Sequence, residues 1–346
     1  MGKMDRRGAL IRSKLMTIKL LSAFMFGVLM LGSSCNSGEA KTDPSPTAAR
    51  VSVPPFNSDS AYVYIEKQLS FGYRVPGTEA HRQCGDWLSD KLSSFGFQVK
   101  KQSFRARFGG RDDVTSFNII GQLNPEHPRR ILLGAHWDTR DQAEKDNDPN
   151  RRNDPIPGAD DGASGVGVIL EIARTIEQNP IDMGVDIVFF DAEDQGSNSG
   201  SDYTTWGQGA QYWSGNLEPP NYKPLYGILL DMVGAENATF GKEEYSMYFA
   251  GPVMTKIWTL AQRMGYSDYF QDFNAGGVTD DHLFVNRIAK IPMIDIINIS
   301  PSDRTSFVPY HHTHEDSLDK ISKRTLRVVG QVVTAVLYKE SEGSLQ

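Results

Sequence analysis

Carboxylates and imidazoles gather at three separate points of this 346-residue chain. Asp160 and Asp161 lie in GADDGASG (158–165), Glu193 and Asp194 close FFDAED (189–194), and His311-His312-Thr313-His314 is the densest run of imidazoles. Each falls where the local pattern ends a strand. Oxygen and nitrogen ligands on scattered loops above a rigid sheet are how a zinc site with one open position is usually built. The chemistry within reach is polarisation of a carbonyl beside a carboxylate that moves a proton.

Each motif has a plainer reading beside the chemical one. GADDGASG has the glycines of a phosphate cradle but lacks the Gly-Lys-Ser/Thr ending, and its two carboxylates would repel phosphate. Capping the following helix, worth about 1 kcal/mol, needs only one Asp. A second one in a glycine-rich turn is better explained by a cation, and Asp160 is the expected ligand. Side chains alternate along a strand, so Glu193 and Asp194 leave it in different directions, one toward a metal and one toward substrate. Of the seven histidines, His81 and His127 sit in polar contexts and are expected at the surface. Among His311, His312 and His314, one or two can ligate and the rest are hydrogen-bonded neighbours. His136-Trp137-Asp138 follows an apolar strand, and Asp280-Asp281-His282 precedes another apolar segment.

The elements that must carry these groups are legible from periodicity. Residues 60–69 and 79–95 have helical spacing, with Thr78 as a cap. Candidate strands follow at 97–104, 115–123 and 130–135. After GADDGASG, Val166, Ile169, Leu170, Ala173 and Ile176 repeat at helical spacing. The runs 185–190, 226–231 and 291–297 read as strands covered on both faces, and Leu326, Val329, Val333 and Val336 mark a closing helix. Alternating strands and helices predict an α/β fold, a three-layer α/β/α sandwich around a central mixed, mostly parallel β-sheet. The connection 139–159 carries mixed charges (Arg140, Asp141, Glu144, Asp146, Asp148, Arg151, Arg152, Asp154) and reads as a solvated surface.

The amino terminus is organised differently. Arg6, Arg7, Arg12, Lys14 and Lys19 precede an apolar run from Leu20 to Leu31 that ends in small residues before Cys35. This pattern predicts an export signal over residues 1–35, and Cys35 resembles the lipid-attachment cysteine of a bacterial lipoprotein. Location in the periplasm, or on a membrane of a Gram-negative cell through that lipid, follows as an expectation. Residues 36–56 read as a flexible tether and 57–346 as one catalytic domain. Without residues 1–35 the chain keeps 30 Lys and Arg against 42 Asp and Glu, a net charge of −12, which argues against nucleic acid as a partner. Cys84 is then the sole cysteine, cannot pair within the chain, and sits in an apolar-periodic stretch that predicts a buried thiol.

Taken together, RVPGTEAH (74–81), HWD (136–138), GADDGASG (158–165), FFDAED (189–194), LLDMVGA (229–235), DDHLF (280–284) and HHTHED (311–316) resemble the zinc aminopeptidase superfamily, including the animal-type glutaminyl cyclases that share its fold. The resemblance implies zinc held by Asp160, Asp194 and His312, with Glu193 as acid/base. One zinc ion is expected, and His136 and Asp231 stand where the aminopeptidases hold a second. Asp194 occupies a position that is Glu in most relatives. Asp280-Asp281-His282, the charged segment before GADDGASG, and the aromatic stretch from Tyr203 through Trp206 and Tyr212 to Trp213 resemble the cyclases. In that reading Asp280 and Asp231 form a network that holds the substrate amine. The implied function is conversion of N-terminal glutamine of peptides and exported proteins to pyroglutamate with release of ammonia, by a monomer. The alternatives are a zinc aminopeptidase and a non-catalytic ectodomain on the same fold.

Overall fold

The computed structural model describes residues 52–197 and 202–346, which fall within one compact unit. The expected export signal, Cys35 and most of the tether lie outside the described residues. The last residues of that tether are not loose. Gln331 receives the Phe56 N–H and donates to Pro54 O, and the buried Phe56 ring lies over Gly330.

The chain builds a six-stranded sheet from β1 (Gln98–Phe108), β2 (Arg111–Leu123), β3 (Arg130–His136), β4 (Gly184–Phe190), β5 (Tyr226–Asp231) and β8 (Met293–Ile297), in the order β1-β2-β4-β3-β5-β8. β4, β3, β5 and β8 are mutually parallel, while the β1–β2 hairpin joins β4 antiparallel at one edge. Every residue of β3, β4, β5 and β8 is buried, as continuous apolar runs require. Alternate residues serve opposite faces. Ile131, Leu133, Ile187, Phe189, Ile228 and Leu230 join the larger core beneath α1 (Ser58–Leu69), α2 (Glu79–Ser94), α3 (Ala163–Gln178) and α7 (Lys323–Ser341). Leu132, Val188, Phe190 and Leu229 face the smaller core under α4 (Gln208–Gly215) and α6 (Asp281–Phe284). The sandwich is therefore three layers, mixed and mostly parallel.

Asp186 is the one acid inside the β4 run. Arg130 satisfies it with Nε at 2.8 Å and Nη2 at 2.5 Å, and Tyr222 donates its hydroxyl at 2.8 Å. Removing one partner of such a buried pair costs about 3–5 kcal/mol. The pattern did not announce α5 (Glu244–Arg263), whose interior holds Gly251 and Pro252 and bends at Ala250, nor the short pair β6 (Phe240–Lys242) and β7 (Phe270–Asn274).

β3 has β4 on one side and β5 on the other, so the chain reverses direction of travel across the sheet at the carboxyl end of β3. A crevice at such a switch point is where open α/β sheets bind ligands. His136 ends β3, Asp231 ends β5, and Glu193 and Asp194 lie just past β4.

Cys84 is fully buried on α2 against the larger core, and burial pushes its thiol up to about 12. A thiolate is the reactive species. Iodoacetamide at pH 8 should leave the Cys84 peptide unmodified in the native protein and label it in urea, as read by peptide mass mapping; rapid native labelling would contradict this packing.

Candidate metal and catalytic site

The sheet brings three groups of residues to one point. His312 Nε2 lies 3.0 Å from Asp194 Oδ1 and 3.7 Å from Asp161 Oδ2, and His311 Nε2 lies 3.6 Å from the same Asp161 oxygen. The other Asp161 oxygen, Oδ1, is 2.9 Å from His136 Nε2, which is 3.3 Å from Asp231 Oδ1. Asp161 thus turns one oxygen to each of two clusters, Asp161–His311–His312 and His136–Asp161–Asp231.

These groups fit a zinc ion. Ligands about 2.1 Å from a tetrahedral metal stand roughly 3.4 Å from one another, and the separations here run from 2.9 to 3.7 Å. Several of the approaches are not hydrogen bonds. His136 Nε2, Asp194 Oδ2 and Asp231 Oδ1 are buried without a partner among the described residues. Outer groups aim the rings. Glu144 Oε1 lies 2.6 Å from His312 Nδ1, leaving Nε2 for a metal, and Asp138 Oδ1 sits 3.6 Å from His136 Nδ1. Asp138 also accepts the Glu193 N–H at 3.1 Å and the Gln195 amide at 2.9 Å, so one buried carboxylate holds both a ring and the loop after β4.

Asp160, the ligand expected from the sequence, is turned away. Its Oδ1 accepts the Gly234 N–H at 2.7 Å and its Oδ2 the Tyr310 hydroxyl at 2.9 Å. Its neighbour Asp161 belongs to both clusters instead. Adjacent residues in the turn point opposite ways, and the sequence writes both with the same letter. The turn itself is pinned from outside: Asp316 accepts the N–H groups of Asp160 and Asp161, and the fully buried Arg74 donates to the carbonyls of Trp137, Pro157 and Gly158. Asp194 and His312, the other two residues expected from the sequence, approach each other at 3.0 Å. Ala192, Met232 and His312 adopt left-handed φ of 51°, 47° and 58°. Such backbone costs on the order of 1–3 kcal/mol per residue and clusters at functional sites.

Two other expectations are overturned. His81 is not at the surface; its ring is 1% exposed, stacks on Trp137 with centroids 4.2 Å apart, and approaches Asp191 at 2.9 Å. The charged connection after β3 is not simply a solvated face. Arg140 is buried and donates to Asp194 O, Lys145 Nζ meets His311 Nδ1 at 2.5 Å, and Asp146 grips His314 at 2.6 Å. Its first half clamps the histidine run, and only the stretch from Asp148 to Asp154 is largely exposed. Alternating charges give no hint of partners 150 residues away.

A cavity of about 300 Å³ opens over the cluster, walled by Glu193, Asp231, Asp280, Trp206, Ile297 and Phe307 among others. Of the aromatic stretch, Trp206 faces it, stacked near His312 and under the Arg140 guanidinium, whereas Trp213 packs in the smaller core. Phe307 and Ile297 carried no sequence signal. Burial, reinforced by Asp280, holds the Glu193 carboxyl well above the usual range, and burial takes Asp231 up to about 8. Burial opposes protonation of His312, but the Asp194 and Glu144 carboxylates outweigh it and raise the ring to about 9. So many buried acids at one point call for a cation. Asp280 faces Asp295, whose carboxyl is raised well above the usual range first by burial and then by the Asp280 charge. The expected bond from Asp280 to Asp231 is not made among the described residues, although both line the cavity.

The profile of Peptidase family M28 matches residues 118–337. A Zn-dependent exopeptidase from Parabacteroides distasonis, solved as a crystal structure, is 46% identical, covering 83% of this chain and 99% of that one with a TM-score of 0.80. Bacteroides thetaiotaomicron glutaminyl cyclase bound to N-acetylhistamine matches with the same identity, coverage and TM-score. The glutaminyl-peptide cyclotransferase of Gloydius blomhoffii is 25% identical over 299 residues, 75% of each chain. Two other curated relatives, one of them an aminopeptidase, are matched over only 45% and 39% of their own lengths.

If Asp161 and not Asp160 holds the metal, Asp161→Asn should cut bound zinc at least tenfold, while Asp160→Asn keeps zinc and lowers the melting temperature. Elemental analysis with thermal melting checks both; zinc retained by the Asp161 variant would reverse the assignment.

Proposed function

The chain belongs to peptidase family M28, and we propose that within it the chain is a glutaminyl cyclase, turning N-terminal glutamine of peptides into pyroglutamate and ammonia. The observation that carries this reading is the placement of Glu193: a buried acid lining a small cavity that also holds the candidate zinc ligands, Asp231 and Asp280. Zinc, held by Asp161, Asp194 and His312, supplies polarisation of the γ-carbonyl.

The residues do the rest. Asp280 and Asp231 hold the substrate α-amine, and Trp206, Ile297 and Phe307 enclose the glutamine side chain and exclude water. Glu193 as carboxylate takes a proton from the amine as its nitrogen bonds to the γ-carbonyl carbon. The same carboxyl then gives the proton to the departing amide nitrogen as that C–N bond breaks, so ammonia leaves and Glu193 is restored. Attack within one molecule is favoured by proximity, so one electrophile and one proton carrier suffice.

The triad His136–Asp161–Asp231 favours a second reading, a two-zinc aminopeptidase in which Glu193 deprotonates water. Mass decides between them. A Gln-initiated peptide should lose about 17 Da as ammonia; loss of its first residue would establish the peptidase instead. Glu193→Gln should lower kcat by about 10²–10⁴-fold with zinc content unchanged, and near-normal turnover would remove Glu193 from its role.

Export and lipidation through Cys35, action as a monomer on peptides and exported proteins, and a single resident zinc complete the proposal. Export and lipidation are supported by the basic-apolar-small order of residues 1–35. Among the described residues no helix is long and apolar enough to cross a membrane.

A further inference from the structure

Two hollows meet at the mouth of the site. Beside the cavity over the metal ligands lies a second one of about 410 Å³, running along Thr305–Pro309, and the two share Lys145, Thr305, Phe307 and His311 as a common wall. The segment forming the second hollow is fixed at both ends. Ser300 N–H donates to Ser306 O at 2.9 Å, and His311 N–H donates to Val308 O at 3.1 Å. Between these anchors Phe307 makes no backbone hydrogen bond to any described residue, through either its N–H or its carbonyl. Its ring rests on His311 with centroids 4.7 Å apart. A short, half-exposed stretch with unpaired main-chain groups and an aromatic face is suited to pairing with an extended peptide.

Chain geometry says which part of a peptide arrives there. An extended residue advances about 3.3–3.6 Å. A chain whose first residue fills the inner cavity therefore presents its second residue to the shared wall. We propose that Thr305–Pro309 is the subsite for the second residue of the peptide, taking an apolar or aromatic side chain against Phe307 and Val308 while the Phe307 main chain pairs with the substrate backbone. This rests on the cyclase reading of the inner cavity. Phe307 is then a specificity-determining residue.

The zinc-loaded protein is to be compared on Gln-Phe and Gln-Gly peptides by kcat/KM, and on the unreactive pyroglutamyl-Phe and pyroglutamyl-Gly amides by Kd. The expected preference for Phe is about tenfold in both, the worth of partly burying one aromatic side chain. Phe307→Ala should bring both ratios to within about twofold of one, and Phe307→Leu should retain most of the preference. Ratios near one in the unmutated protein, or ratios unmoved by Phe307→Ala, overturn the subsite. Because the Kd ratio is read without turnover, the two readings separate. A Phe preference in binding with no ammonia from any Gln peptide sinks the cyclase and upholds the subsite, whereas brisk ammonia release with no preference does the reverse.

Discussion

Asp161 has each of its two carboxylate oxygens turned to a different imidazole cluster, and the rest of the site is arranged around that division. A carboxylate this deep has no water to stabilise it, so its charge must be met by cations or protons. His136 answers one side; His311 and His312 answer the other. Around them Glu193, Asp194, Asp231 and Asp280 add further acids, each raised by burial. A divalent ion lowers the cost of the whole assembly at once. It follows that the ligands are placed by elements that cannot relax away from one another, namely strand ends and pinned turns.

Holding such a cluster together is a task for the surrounding polar groups. Arg74, Asp138 and Asp316 touch nothing in the cavity, yet each fixes the backbone that carries a ligand. Arg74 ties the loop after β3 to the turn before α3 through three carbonyls. Gly165 lets that turn sit against β5, where an added Cβ would come within 2.1 Å of Leu230 O. The left-handed residues Ala192, Met232 and His312 adjoin or are themselves site residues, and this shell keeps their unfavourable backbone in place.

The layers of the fold were legible because burial on both faces writes itself as unbroken apolar runs, and β3, β4, β5 and β8 all read that way. The site was legible as a set of segments but not always as atoms. Asp160 and Asp161 share a letter and a turn, and which one points inward depends on Asp316, Tyr310 and Gly234, far away in sequence. His81 looked polar by its neighbours, whereas its setting comes from Trp137 and Asp191 across the sheet. The charged stretch from Arg140 to Asp146 looked solvated because its partners, Asp194 and the histidine run, lie about 50 to 170 residues on. Phe307 is an ordinary loop residue until its segment folds over the cavity. Local patterns report burial; they do not report which buried group meets which.

One set of parts can serve either hydrolysis or cyclisation, and the geometry indicates what tips the balance. Hydrolysis needs a water molecule beside the scissile carbonyl with room for the leaving chain on the far side. Cyclisation needs the opposite: a side chain folded back on its own amine, with water kept out. A cavity of about 300 Å³, lined in part by Trp206, Ile297 and Phe307, has room for one folded residue. Its lining includes acids that would bind an amine, Asp280 and, beside the metal cluster, Asp231. Glu193 lines the same cavity, with Asp280 and Asp194 among its charged neighbours, where a carboxyl can pass a proton between two nitrogens. On this view the family's water-activating acid needs no change of residue to become a proton carrier between two nitrogens; what changes is the nucleophile that the walls admit.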